Sequence, residues 1–151
     1  MRYRLVFNGE VEMTFSTVMI WPMFAHAMLV FGLYFLLSRK RMGAIRAGRV
    51  QAEQFKENRE EPLDSLLVHN NIKNQFELPV LFHVVCLALY VTTADNVVTA
   101  ALGWAFVASR YVHSYVHITS NRLRHRRPIF IVGFFLLIAL WIWLGIWLAF
   151  D

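Results

Sequence analysis

The chain is short of charge, of cysteine and of proline. Charged residues make up 17% of its 151 residues, where a soluble domain carries roughly a quarter. The shortage is concentrated. No Asp, Glu, Lys or Arg occurs in residues 13–38, 78–94, 96–109, 111–121 or 128–150. Crossing the hydrocarbon of a bilayer takes ~20 residues of helix. The first and last runs meet that length alone. The second meets it if its helix begins near Ser65, and the third if Arg110 lies within the helix. The prediction is an all-α membrane protein of four transmembrane helices. The spans fall at about 13–38, 65–94, 96–120 and 128–150 of a single domain over 1–151. A soluble protein with buried core helices does not fit, because two runs exceed the length at which an apolar segment reads as a span. The first run is too long, and too poor in a small-residue cleavage site, for a removable signal peptide.

The one cysteine, Cys86, excludes an intramolecular disulfide and reads as a small buried hydrophobe. A Gly-rich phosphate loop, a Ser/His/Asp order, an internal repeat and a low-complexity segment are all missing. The four prolines are punctuation. Pro62, with Asp64 and Ser65, marks the start of the second helix. Pro79 lies inside that helix and should bend it, Pro22 should do the same to the first, and Pro128 suits the first turn of the fourth.

What charge there is sits beside the spans. The net charge is +5. Its position at span ends is explained by membrane topology and not by nucleic acid. The loop 39–64 holds Arg39, Lys40, Arg41, Arg46, Arg49, Lys56 and Arg59, and the link to the fourth span holds Arg122, Arg124, Arg126 and Arg127. The link between the second and third spans has no basic residue. The positive-inside rule puts both basic loops in the cytoplasm and the N- and C-termini outside. A multi-pass protein of a bacterial inner membrane is the expected location. Trp21, Trp143 and Trp147 then fall near the outer ends of their spans, where an aromatic belt sits.

Two polar lines interrupt the apolar helices. Asn70, Asn74 and Glu77 share one helix face at i, i+4 and i+7, and Arg110, His113 and His117 share another at i, i+3 and i+7. The topology brings both lines to the same leaflet. A carboxylate at that depth needs a cation, a ligand or several donors. Glu77 and Asn74 could hold a ligand's ammonium or amide, and the basic line could hold one or two carboxylates. A second reading needs no ligand: Glu77 pairs with Arg110 or Lys73, and the polar residues lock an oligomer or bind a lipid or anion without catalysis. His113 and His117 have a spacing that can bind a metal but lack a third ligand nearby, so no metal site is expected. His26, His69 and His83 receive no role.

The run HNNIKNQFELPVLF over 69–82 resembles the second helix of the MAPEG family, the membrane-associated proteins in eicosanoid and glutathione metabolism. The run RYVHSYVHITSNRLRHR over 110–126 resembles that family's third helix and following loop. The specific part is Asn74, Glu77 and Pro79 together with Arg110-x-x-His113. The resemblance implies homotrimers of four-helix subunits, with bent glutathione between neighbouring subunits near the cytoplasmic side. It implies a transferase or peroxidase that acts on lipophilic electrophiles arriving from the membrane lipids. Carried over, Asn74 and Glu77 would hold the peptide backbone of glutathione. Arg110, His113 and His117 would bind from the third helix, and Arg126 would be the catalytic residue stabilising the thiolate. The chain departs from well-studied members where Asn70 stands for a common Arg, and where His117 and Phe130 stand for common Tyr residues.

Overall fold

The computed structural model describes residues 2–7, 11–55 and 61–150, with side chains from Ser16 onward. Lys56 and Arg59 of the basic loop, and the acids Glu57 and Glu60, lie outside the described residues. The chain opens with an antiparallel hairpin of β1 (Arg2–Phe7) and β2 (Val11–Ser16), in which Arg2 pairs with Ser16 and Phe7 with Val11. Five helices follow: α1 (Ile20–Arg46), α2 (Leu63–Gln75), α3 (Leu78–Val91), α4 (Val97–Ile118) and α5 (Leu123–Phe150). A single 3₁₀ turn, Ala52–Phe55, lies in the loop after α1.

The helices form an all-α bundle that buries polar groups and displays apolar ones. Trp21, Phe24, Phe31, Phe35, Phe135 and Ile142 are all exposed. An exposed apolar surface of this extent needs a lipid environment. Among the described residues, three stretches are long and apolar enough to cross a membrane: Ile20–Arg46, Leu63–Val91 and Leu123–Phe150. The fourth helix of the bundle, α4, has 22 residues and spans ~33 Å. Its hydropathy is lowered by Arg110, His113, Ser114 and His117, all of which are buried.

The second span is interrupted where the sequence leads one to expect a bend. Pro79 cannot donate to the carbonyl of Gln75, and α2 ends at that residue. Phe76 turns the chain, Glu77 takes the N-cap position, and α3 restarts with Pro79 in its first turn. Pro22 also lies in a first turn, that of α1, where a missing N–H costs little. Pro128 is the reverse case. The helix begins at Leu123, so Pro128 sits inside α5 and the basic run forms the helix's first turns.

Four contacts set the bundle. Phe82 of α3 stacks on Phe106 of α4 at 4.4 Å between centroids, in the main apolar core with Val85, Leu89 and Leu140. Leu33, Leu37, Val68 and Ile72 form a second cluster between α1 and α2. Asn96 caps α4: its side chain accepts from Val98 N and Thr99 N, and Thr99 Oγ1 accepts from Asn96 N. Trp143 Nε1 donates to Ala94 O at 3.1 Å and ties α5 to the α3–α4 link.

At the other end, Arg41 grips Glu61 with two bonds, Nε to Oε1 at 2.8 Å and Nη2 to Oε2 at 3.0 Å. His69 Nδ1 lies 3.0 Å from Glu61 Oε2. The Glu61 side chain is fully buried, and burial alone would raise its carboxyl. The bonds from Arg41, His69 and Ser65 outweigh that and hold it at about 2, well below the usual carboxylate range. Arg39, Lys40 and Arg41 are not loop residues: α1 runs on through them to Arg46, so the basic residues continue the span as helix.

Candidate functional site

The polar face of α4 is the starting point. Arg110, His113 and His117 come together on it at helical spacing, each no more than 2% exposed. Arg110 is the largest fully buried side chain in the protein's described part. Its guanidinium lies between two rings, with Cζ 5.4 Å from the centroids of both Phe106 and Phe130. Its one described hydrogen bond is a long one, Nε to Ser109 Oγ at 3.4 Å. Among the described residues Arg110 has no carboxylate partner, and its Nη2 has no hydrogen-bond partner.

Room for the guanidinium comes from α5. A Cβ on Gly133 would overlap Arg110 Nη2 and lie 2.7 Å from Ser109 Oγ. Glycine here is a requirement of close approach, not of backbone conformation. Among the described residues, Nδ1 of His113 and Nδ1 of His117 also lack a partner. Three of the five buried side-chain atoms that lack a partner among the described residues thus belong to one helix face. Unsatisfied buried donors and an unpaired buried cation are costly, and their concentration is characteristic of a place completed by a ligand or another chain.

A cavity of about 360 Å³ adjoins this face, lined by Asn74, His113, Leu123, Arg126, Arg127 and Phe130. It joins one residue of the first polar line to one of the second. Arg126 is the half-buried one among the four arginines of its run, the others being exposed. Its Nη1 donates to Asn121 Oδ1 at 3.0 Å, which leaves the other guanidinium nitrogens for the cavity. Asn121 supports that geometry from a left-handed turn at φ 47°. Arg110 stands behind Phe130 as a second layer of positive charge.

Glu77 is exposed at the α2–α3 break and does not line the cavity. Within one chain it forms no ion pair with Arg110 or Lys73 among the described residues, so the intrachain lock is not made. No described group of three or more His, Cys, Asp or Glu is gathered closely enough to hold a metal ion.

The model for the MAPEG family matches residues 19–146. The chain belongs to the MAPEG family. The match takes in every described helix of the bundle apart from the last residues of α5. Neither the comparison with characterised proteins nor that with solved structures gave a match. The MAPEG family is a family of membrane proteins associated with glutathione, and it includes glutathione transferases and peroxidases. Its members are known for oligomers and a lipid environment.

Sequence reasoning passed over a second polar group in this MAPEG chain. Asn71 and Gln75 point into the bundle, and Asn70, Asn74 and Glu77 lie on less buried sides of the same region. Gln75 Nε2 donates to Asn71 Oδ1 at 2.9 Å and to Ser114 Oγ at 3.2 Å. His26 Nε2 lies 3.1 Å from Gln75 Oε1, and His26 Nδ1 lies 3.0 Å from His83 Nε2. Asn71 and Gln75 are also spaced i, i+4, so spacing alone does not distinguish this line from Asn70 and Asn74.

Proposed function

We propose that this MAPEG protein is a membrane-bound, glutathione-dependent transferase or peroxidase acting on lipophilic electrophiles at the cytoplasmic membrane boundary. The observation that carries the reading is the buried, unpartnered guanidinium of Arg110 behind a cavity walled by Arg126 and Arg127. Glutathione at neutral pH brings two carboxylates and one ammonium, and the two carboxylates suit a cavity walled by Arg126 and Arg127. In this reading His113 meets the carboxylate end at the cavity wall, Arg110 and His117 support it from the buried layer behind, and Asn74 and Glu77 hold the peptide and the ammonium. Glu77 lies outside the wall of one chain's cavity, so it takes this part from the boundary between copies of the chain in a homotrimer.

Arg126 is the catalytic residue of the proposal. A thiol has a pKa of about 8.5, and a guanidinium beside it favours the thiolate that attacks. In conjugation the sulfur forms a bond to the electrophilic carbon, the leaving group departs with the bonding pair, and the thiol proton goes to water. The exposed apolar faces of α3 and α5 admit a substrate from the bilayer. The basic segments at the C-terminal end of α1 and the start of α5 face the cytoplasm of a bacterial inner membrane, with both termini outside.

The test is turnover. Detergent-purified protein with glutathione and a chloronitroaromatic electrophile should release chloride in step with thioether. Arg126→Gln should lower kcat at least ~100-fold, in the range of a lost charge-stabilising donor, with the oligomer unchanged. Equal rates for the two proteins would remove Arg126 from the chemistry.

A further inference from the structure

A separate cavity of about 300 Å³ opens on the outer face of α1, α2 and α3. Its walls are apolar: Ala27 and Phe31 on one side, Phe76 and Val80 on the other. Phe31 and Phe76 are exposed, so the mouth faces outward. The lining also includes His26, Gln75 and His83, the end of the buried polar chain described above. Both rings lie within candidate membrane spans. The basic cavity beside α4 shares none of these residues.

The direction of that chain follows from elimination. Asn71 Nδ2 donates to the carbonyl of Ser114 at 3.4 Å, which turns Asn71 Oδ1 toward Gln75. Gln75 must present its NH₂ there, because Asn71 O and Oδ1 both accept. Gln75 Oε1 is therefore left to accept from His26 Nε2. A neutral imidazole donates from one nitrogen and accepts at the other. His26 Nδ1 consequently accepts, and His83 Nε2 is the donor to it. The remaining atom, His83 Nδ1, is a lone-pair acceptor that no described residue satisfies. The ring that carries it is only partly buried and lines the cavity.

We infer that this cavity is a binding site for a long-chain lipophilic molecule bearing a hydroxyl, whose O–H donates to His83 Nδ1. The apolar walls take the first part of the chain, and the remainder lies along the outer face of the bundle. The relay from Ser114 to His83 selects for a donor and against an acceptor, because an ether or ketone oxygen meets a lone pair. The site is independent of the thiol chemistry proposed above and stands or falls without it.

The probe is tritiated 1-hexadecanol, bound to the detergent-purified full chain and competed with unlabelled hexadecanol or with hexadecyl methyl ether. The alcohol should compete about tenfold better than the ether, as one hydrogen bond in a dry site allows. His83→Phe keeps the bulk and should erase that preference. Ala27→Trp fills the cavity and should remove binding of both, with the elution volume unchanged in each variant. Equal competition by alcohol and ether overturns the assignment, and so does a preference that persists in His83→Phe. A face sealed by a second copy of the chain would bind neither probe in the parent protein, which overturns it as well.

Discussion

Glu61 is the residue whose removal has the most calculable effect. Its carboxylate is buried, and two bonds from Arg41 and one from His69 hold its pKa at about 2, well below the ordinary 4.5 of a glutamate. A depressed carboxyl stabilises the fold at pH values above its unfolded pKa. The contribution is complete above about 4.5 and is lost as the pH falls from there through about 2. At ~1.4 kcal/mol for each pH unit between 4.5 and about 2, the full contribution is about 3–4 kcal/mol at neutral pH. Glu61→Gln keeps the shape and removes the charge, so it should cost roughly that amount at pH 7. By the scaling of folded domains this is a fall of about 5–10 °C in Tm. The assay is thermal unfolding of the detergent-purified protein and the variant, side by side, from pH 7 down to pH 2.5. The other carboxylates titrate in both proteins, so the difference between the two curves isolates Glu61. The gap should be constant down to about pH 4.5 and then close steadily. A gap that is negligible at pH 7, or one that stays constant throughout the acid range, refutes the burial and pairing assigned to Glu61.

Two further effects concern the α4–α5 contact. Arg110→Met removes a buried cation that has no described partner, so the ligand-free variant should be more stable than the parent by about 1–2 kcal/mol in thermal or denaturant unfolding; a loss of stability would mean that Arg110 has an anion beside it. Gly133→Ala should cost about 1–3 kcal/mol, because its Cβ would overlap Arg110 Nη2 and crowd Ser109 Oγ. That cost should shrink in the Arg110→Met background, and an equal cost in both backgrounds would place the strain elsewhere.

The charge-free runs made the helices of the bundle legible, because only helices satisfy the backbone across so long an apolar stretch. The ends were less legible. The first run begins at residue 13, yet α1 begins at Ile20, since Val11–Ser16 pairs with Arg2–Phe7 in a hairpin. Hydropathy does not separate an apolar strand from an apolar helix over a few residues. The basic segments were read as loops, but Arg39 to Arg46 and the arginines from Arg124 onward are helical, because Lys and Arg are good helix formers and charge does not end a helix. At the site, spacing sufficed for Arg110, His113 and His117, which share one buried face. It did not suffice on α2. Asn70/Asn74 and Asn71/Gln75 are parallel polar lines, and which one turns inward depends on where His26 and Ser114 stand in other helices. Gly133 was invisible for the same reason: its role is to leave room for a side chain from α4.

The central claim is that the buried basic face of α4 is completed by glutathione, and calorimetric titration of glutathione into the detergent-purified protein tests it most directly. The account predicts saturable binding that Arg110→Met weakens at least tenfold, with the oligomer unchanged by size-exclusion chromatography. Absence of heat at millimolar glutathione in the parent protein, or equal affinity in Arg110→Met, would contradict it.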